Sequence, residues 1–569
     1  MSEHLVQDYD VVVIGAGVAG AMIAWKLARK GLRVVILEAG EGDEERERLE
    51  LVGHYARATQ KTTGSPYKDG VRDKLAPFPE RDEDYYVQPG ATKFKSTYLR
   101  RTGGSTWHFL GHVPRFVPGD FQLRSLYGVG VDWPIGYGDL EEWYGEAERE
   151  MGVSGDHAEW NGLLGAYRST DFPMSKVWQS YSDEIVKAAI EGNPFEETEL
   201  RVLSTPQARN SQPYQDRPAC AGNSTCVPIC PIGAKYDGGV HVRLARQAGA
   251  EIQARTIVRR LAVEPGGRID AVYFTRWDGT TGRMRGRIVV LAAHAVESPK
   301  LLLLSRGLYA PKNSVANSSD QVGRNLMDHL QGQGGAILPQ PVYPFRGPPT
   351  TSGIDAFRDG AFRSARAAFR MSLGNDAWGR LASPRDVLVK ELLDLKKEPL
   401  FGSALRERFA DRITRHSRIS YSTEMLPRPE NRVTLSTEDD MSGFGIPRPQ
   451  LQMTLDEYNV AAFDYAQRVI TFIFAQLGAK DTDMKFPDKG TYSGAGHIMG
   501  TCRMGDDPKT SVVDRHCRSH DHANLFIAGA SVFPTGGTAN PTLTVAALAL
   551  RAAETILTEF QAERPPLSC

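Results

Sequence analysis

Tyr9-Asp10-Val11-Val12-Val13-Ile14 runs directly into Gly15-Ala16-Gly17-Val18-Ala19-Gly20, and the reading of this junction decides the fold. The first segment is a short, β-branched, apolar run, which reads as a buried strand. Ala21 to Arg29 reads as a helix closed by Lys30-Gly31, and Leu32 to Leu37 as a second strand ending at Glu38. Gly15 permits a tight turn, Gly17 lets the backbone approach a pyrophosphate, and Gly20 lets the helix pack on the strand. Amides at the helix N-terminus then attract phosphate charge. Glu38 lies eighteen residues after Gly20, the usual distance to an acid that accepts hydrogen bonds from ribose hydroxyls. The motif alone does not separate NAD from FAD. Its place at the extreme N-terminus favours FAD.

Outward from this junction, the 569 residues leave room for several units around a large core. A composition of 41% hydrophobic and 24% charged residues is ordinary for a globular protein and excludes disorder over most of the chain. Lys and Arg number 68 against 69 Asp and Glu, so no basic excess supports nucleic-acid binding as the main task. No stretch reaches the roughly 18 uninterrupted apolar residues of a membrane span. Val11 to Trp25 could be misread as a signal peptide, but Glu3, Asp8 and Asp10 precede it without a Lys or Arg.

Residues 41 to 90 are charged and Pro-rich and read as a surface excursion. Residues 139 to 152 read as an exposed amphipathic helix. Strands are expected at 251–263, 270–276 and 286–292, a charged helical segment near 385–416, a strand at 524–528 and a helix from 541 to 559.

Three further segments carry chemistry. Gly103-Gly104-Ser105-Thr106-Trp107-His108 could bring backbone against an extended cofactor. Cys220, Cys226 and Cys230 fall within eleven residues, and Pro231 follows. Three thiolates suit an iron–sulfur cluster, either three-iron or four-iron with an open corner. A structural zinc wants a fourth ligand, and Asp216, Asp237 and His241 stand at no familiar spacing. A local disulfide with one buried thiol is the plain alternative. His497 sits in a Gly-rich loop where its ring could face a cavity and act as a base.

The chain resembles the glucose–methanol–choline (GMC) family of flavin oxidoreductases from end to end. The resemblance rests on the N-terminal fingerprint with Glu38, GGSTWH at 103–108, DWPIGYGDLEEWY at 132–144, AHAVESPKLLLLS at 293–305, VGRNLMDH at 322–329, PENRVTLS at 429–436, HIMGTCRMG at 497–505 and NPTLTVAALALR at 540–551. With the cysteines it is similar to the flavin subunit of bacterial three-component sugar dehydrogenases, whose relatives act on glucose, gluconate, fructose or sorbitol. The resemblance implies FAD, and a 3Fe–4S cluster on Cys220, Cys226 and Cys230. It makes His497 the catalytic histidine and Asn540 its polar partner. Gly15, Gly17, Gly20 and Glu38 match the ADP-binding elements, and Gly103, Gly104 and Thr106 the loop over the flavin. Val258 matches a backbone contact to adenine, and Ala530, Asn540 and Thr542 match further cofactor positions. Trp107 intervenes between the loop hydroxyl and His108, so the FAD is expected to be non-covalent. Gly529 stands where the family often has an acid.

The expected architecture is α/β: a Rossmann-like FAD domain from residues 1–135, 216–329 and 490–569, interleaved with a substrate domain from 136–215 and 330–489 built on a mixed or antiparallel sheet with helices. The expected reaction is hydride transfer from a sugar hydroxyl to flavin, with electrons leaving through the cluster to a cytochrome c subunit. Alternatives are an oxidase of the same family using O2, a glycoside 3-dehydrogenase, a flavin-containing lyase, a scaffold subunit with a vestigial site and a zinc-stabilised NAD enzyme. The resemblance further implies a small chaperone-like subunit with which the chain crosses to the periplasm; without that partner the chain is expected in the cytoplasm. Glu424 and Asn431 are candidate substrate contacts. Cys502, Cys517 and Cys569 are expected to be buried as small apolar residues.

Overall fold

Val11, Val12 and Val13 are fully buried, and the strand that holds them, β1 (Gln7–Ile14), lies inside a seven-stranded sheet. A continuous β-branched run suits a strand covered on both faces. β1 pairs in parallel with β2 (Val34–Leu37) on one side and with the strand Thr281–Leu291 on the other. The connecting helix α1 (Val18–Ala28) begins directly after Gly17, three residues earlier than the sequence reading. Gly20 therefore lies inside its first turn, where an added Cβ would come within 2.1 Å of the Gly15 carbonyl oxygen. The computed structural model describes residues 7–562 except 43–47, 51, 54–55, 57–85, 91, 95, 97, 228, 377–399, 438–445, 486 and 489–491. Most of the excursion at 41–90, the first part of the segment at 385–416, and Cys569 lie outside the described residues.

Glu251–Gln253 extends the sheet beyond β2. Thr256–Val263, Ile269–Arg276 and the start of Thr281–Leu291 form an antiparallel meander. The expected strand at 251–263 is thus two strands. Leu525–Ile527 pairs in parallel with Val289, Val290 and Leu291. The C-terminal helix Thr542–Ala562 packs on α1 and buries an Ala- and Leu-rich face. Tyr137–Met151 packs against it and buries Leu140, Tyr144 and Met151, so that helix is amphipathic but not freely exposed.

The second sheet also has seven strands, and its pairings are antiparallel. Its centre is Leu330–Ile337, His416–Thr423 and Phe369–Gly374. Gly332 and Gly334 leave room on one face, where added Cβ atoms would strike Tyr421 and the Ile470 side chain of helix Glu457–Gln476. The charged helix expected near 385–416 is observed as Gly402–Arg415. Among the described residues, no helix is long and apolar enough to cross a membrane.

Candidate active site

A cavity opens at the carboxyl ends of β1, β2 and Thr281–Leu291, the usual place for a ligand on a parallel sheet. Gly15, Gly17 and Glu38 line it, as do Gly103, Gly104 and Thr106. Val258, Ala530 and Thr542 complete the set that the sequence placed around one cofactor. Gly20 does not line the cavity; it acts through helix packing. Asn540 lines the neighbouring cavity instead.

The local chemistry suits an extended, phosphate-bearing nucleotide. An added Cβ at Gly17 would meet no atom within 4 Å, so the space in front of the α1 amides is open. Glu38 accepts hydrogen bonds from the amides of Ala16 and Gly40, each at 2.7 Å, and is fixed at the tip of β2. Burial holds its carboxyl above the usual range, and the two amides oppose that shift. The amide of Gly103 donates to the Ala16 carbonyl at 2.9 Å, which seats the 103–107 loop on the fingerprint turn. Thr106 Oγ1 donates to the Gly103 carbonyl at 2.7 Å and accepts from the Gly238 amide at 2.8 Å. Val258 sits where a register shift breaks the meander ladder.

A second cavity adjoins the first, and His497 borders both. The His497 Nε2 and Asn540 Nδ2 atoms lie 3.2 Å apart. His329 lies behind His497, with the two Nδ1 atoms 2.9 Å apart. Asp328 Oδ1 accepts the His497 amide at 2.8 Å. The facing wall is one face of the second sheet. Gln331, Ser372, Ser420 and Ser422 all border the cavity. Their strand register explains this: Gln331 opposes Ser422, and Ser372 opposes Ser420. Side chains two apart on a strand share a face, so the polar residues gather here while the glycine face packs on its helix. Arg370 also borders the cavity, and its Nε lies 3.0 Å from Asp355 Oδ1.

Sequence reasoning missed His329, Asp328 and this polar face. The segment 322–329 served only as a family match, although an Asp-His pair entering a strand was visible in it. Conversely, Glu424 and Asn431 border neither cavity. Glu424 is buried and pairs with Arg363 at 2.6 Å, which in turn meets Asp120 at 3.1 Å. Asn431 caps a backbone crossing, accepting from the Thr454 amide at 2.8 Å and donating to its carbonyl at 3.1 Å. Both are structural.

Cys220, Cys226 and Cys230 are free thiols that border one small cavity, so the disulfide alternative is not what the structure holds. Arg209 lines the same cavity, is 1% exposed, and leaves Nε and Nη1 without hydrogen-bond partners. Lys235 is buried nearby and donates to the carbonyls of Trp107 at 2.8 Å and Phe109 at 2.7 Å. Burial pushes its amine down to about 8, against the pull of the Cys226 and Cys230 thiols. Two cations beside three thiols suit an anionic sulfur-ligated centre in kind. The thiols do not meet as a ready ligand set: among the described residues no group of three His, Cys, Asp or Glu is arranged to hold a metal ion. Asp237 pairs with Arg48, and His241 Nδ1 lies 2.9 Å from the Tyr236 hydroxyl. Cys502 and Cys517 are buried as expected.

The chain is similar to known proteins along its length. A family model described as FAD dependent oxidoreductase matches residues 10–46, and models described as GMC oxidoreductase match 198–331 and 427–549. The fructose dehydrogenase large subunit of Gluconobacter japonicus is 36% identical, over 97% of this chain and 98% of that one. The 6'''-hydroxyparomomycin C oxidase of Streptomyces lividus is 31% identical, over 98% of this chain and 92% of that one. The crystal structure of a formate oxidase matches the fold with a TM-score of 0.65 at 16% identity, covering 98% of this chain and 99% of that one. The nucleotide cavity on the parallel sheet, the end-to-end relatives and the matched domains together establish that the chain belongs to the GMC oxidoreductase family of FAD-dependent enzymes.

Proposed function

We propose that this protein is a sugar dehydrogenase that oxidises a carbohydrate hydroxyl, with His497 as its base. The observation that carries the reading is the pairing of His497 and Asn540 beneath a sheet face of amide and hydroxyl side chains. Such a face offers several donors and acceptors to a polyhydroxylated ligand. A relative named as a fructose dehydrogenase subunit supports the same substrate class.

Bound FAD, held by Gly15, Gly17, Glu38, Gly103, Gly104, Thr106, Val258, Ala530 and Thr542, would supply the hydride acceptor. The chain's own residues do the rest. His497 Nε2 takes the hydroxyl proton, a contribution typically of ~10²–10⁴-fold in rate. Asn540 hydrogen-bonds the same oxygen and holds the substrate carbon in register. Gln331, Ser372, Ser420 and Ser422 hold the remaining hydroxyls. No covalent link to the flavin is part of this reading.

The reading extends to a 3Fe–4S cluster on Cys220, Cys226 and Cys230, which would supply one-electron transfer. Its support is the three free thiols on one cavity with the orphaned Arg209 nitrogens. A cytochrome c-type acceptor, a small chaperone-like subunit and a periplasmic location complete the proposal. The words "large subunit" in the name of the Gluconobacter relative support a multi-subunit assembly.

The test is a panel of sugars and sugar acids offered to purified protein with a soluble dye as acceptor. A carbohydrate should bleach the flavin without oxygen, and His497→Ala should abolish turnover while flavin stays bound. Bleaching by no carbohydrate would overturn the substrate class. Oxygen consumption matching the dye rate would favour the oxidase reading.

A further inference from the structure

His329 is 2% exposed and makes hydrogen bonds from both ring nitrogens. Its Nε2 lies 3.1 Å from the carbonyl oxygens of both Gly536 and Gly537. A carbonyl oxygen only accepts, so His329 Nε2 carries a proton. Burial pushes the His329 imidazole down to about 4, so the ring is neutral near pH 7 and its Nδ1 holds a lone pair. The partner of that lone pair is His497 Nδ1 at 2.9 Å, which must therefore donate. A neutral His497 that carries its proton on Nδ1 has its lone pair on Nε2. Asn540 Nδ2, 3.2 Å away, is a donor and matches that lone pair. The proton arrangement is thus determined from the Gly536–Gly537 carbonyls outward.

The carbonyls themselves are fixed. Gly537 adopts φ +61°, a left-handed conformation natural to glycine. On either side of the pair, Trp133 Nε1 donates to Thr535 Oγ1 at 2.7 Å and Thr538 Oγ1 donates to the buried Asp120 at 3.0 Å. An added Cβ at Gly536 would crowd Met499 Cε at 3.1 Å and touch His329 Nε2 at 3.4 Å.

We infer that His329 is a positioning residue that holds His497 as the Nδ1–H tautomer, so that Nε2 faces the substrate cavity ready to accept a proton. This deepens the reading of His497 as the base and rests on it. His329 also borders the second cavity, but both of its ring nitrogens are engaged, so in this scheme it acts through His497. A serine-hydrolase carboxylate sets the tautomer of its histidine in the same manner, and the wrong tautomer there costs about 10⁴-fold in rate.

The test uses the full-length, flavin-loaded protein labelled with ¹⁵N-histidine. Ring-nitrogen NMR reads the tautomer of His497, with its signals assigned by their loss in His497→Ala. The expected state is neutral with the proton on Nδ1. His329→Gln retains an ε-position donor toward the carbonyls, and its acceptor oxygen also stands at the ε position, not at the δ position that meets His497. It should leave His497 in mixed tautomers and lower kcat by about 10²-fold with KM little changed. His329→Asn offers its amide oxygen to His497 and should recover at least about tenfold of that loss. A wild-type His497 protonated on Nε2 would overturn the inference. So would equal losses in the Gln and Asn variants, or unchanged kcat in both. If either variant fails to retain flavin, the wild-type tautomer alone decides. The NMR readout needs no substrate, so a failure of the base assignment, seen as an active His497→Ala enzyme, or of the substrate class, seen as no bleaching by any carbohydrate, is distinguishable from a failure of this inference.

Discussion

A single oxygen of Asp328 accepts the backbone amides of both His329 and His497, at 2.7 and 2.8 Å. One fully buried carboxylate thereby ties the strand that begins at Leu330 to the loop that carries His497, although 168 residues separate the two histidines. Asp328→Ala should lower turnover at least about tenfold with flavin content preserved, and Asp328→Asn, which keeps an acceptor oxygen, should lose less. Steady-state kinetics and the flavin absorbance ratio decide this.

The same carboxyl has a signature in pH. Burial pushes Asp328 up to about 6. A carboxyl raised in the folded state adds stability below its ordinary value and loses that contribution as pH rises through the folded one. The urea midpoint of the wild type should therefore gain on that of Asp328→Asn as pH falls from about 7 towards 4.

Three imidazoles work in the opposite direction. Burial is the largest cause that pushes His294, His329 and His416 down to about 4. On unfolding each takes up a proton in the window between there and the ordinary value of about 6.5. Their stabilising contribution is present above that window and is lost as pH falls through it. Urea midpoints measured across the window should fall with pH, and His416→Gln, remote from the cavity, should flatten the slope.

Two glycines three residues apart should fail differently. At Gly17 a methyl group meets no protein atom and enters the nucleotide space, so Gly17→Ala should fold normally and lose flavin. At Gly20 the methyl meets the Gly15 carbonyl at 2.1 Å, so Gly20→Ala should lower the thermal midpoint as well. Circular dichroism melts and flavin titration separate the two.

If the proposed cluster sits on the three thiols, Cys226→Ser should remove iron and acid-labile sulfide that the wild type carries and leave the flavin in place, because the thiol cavity and the nucleotide cavity share no lining residue. Dye-coupled turnover should persist while transfer to a cytochrome falls. Metal analysis beside the visible spectrum checks it.

The parts of the molecule that were legible in sequence are local in chain. The strand, glycine turn, helix and Glu38 fall within some thirty residues, so spacing alone carries their chemistry. The helix start was misplaced because a glycine in a first turn reads as a loop until its packing against Gly15 is seen. The polar sheet face was not legible, since Gln331 meets Ser422 across a separation of 91 residues and serine and glycine are weak strand formers. Glu424 illustrates the converse. A carboxylate near a cleft reads as a ligand contact, but its guanidinium partner, Arg363, is 61 residues away in sequence.

Val289, Val290 and Leu291 join Val12, Val13 and Ile14 on one side to Leu525, Phe526 and Ile527 on the other. During synthesis the last of these partners emerges from the ribosome long after β1 and its glycine turn, and Asn540 emerges later still. A chain cut short before Leu525 therefore carries the nucleotide fingerprint without the strand that flanks Val289–Leu291 and without Asn540.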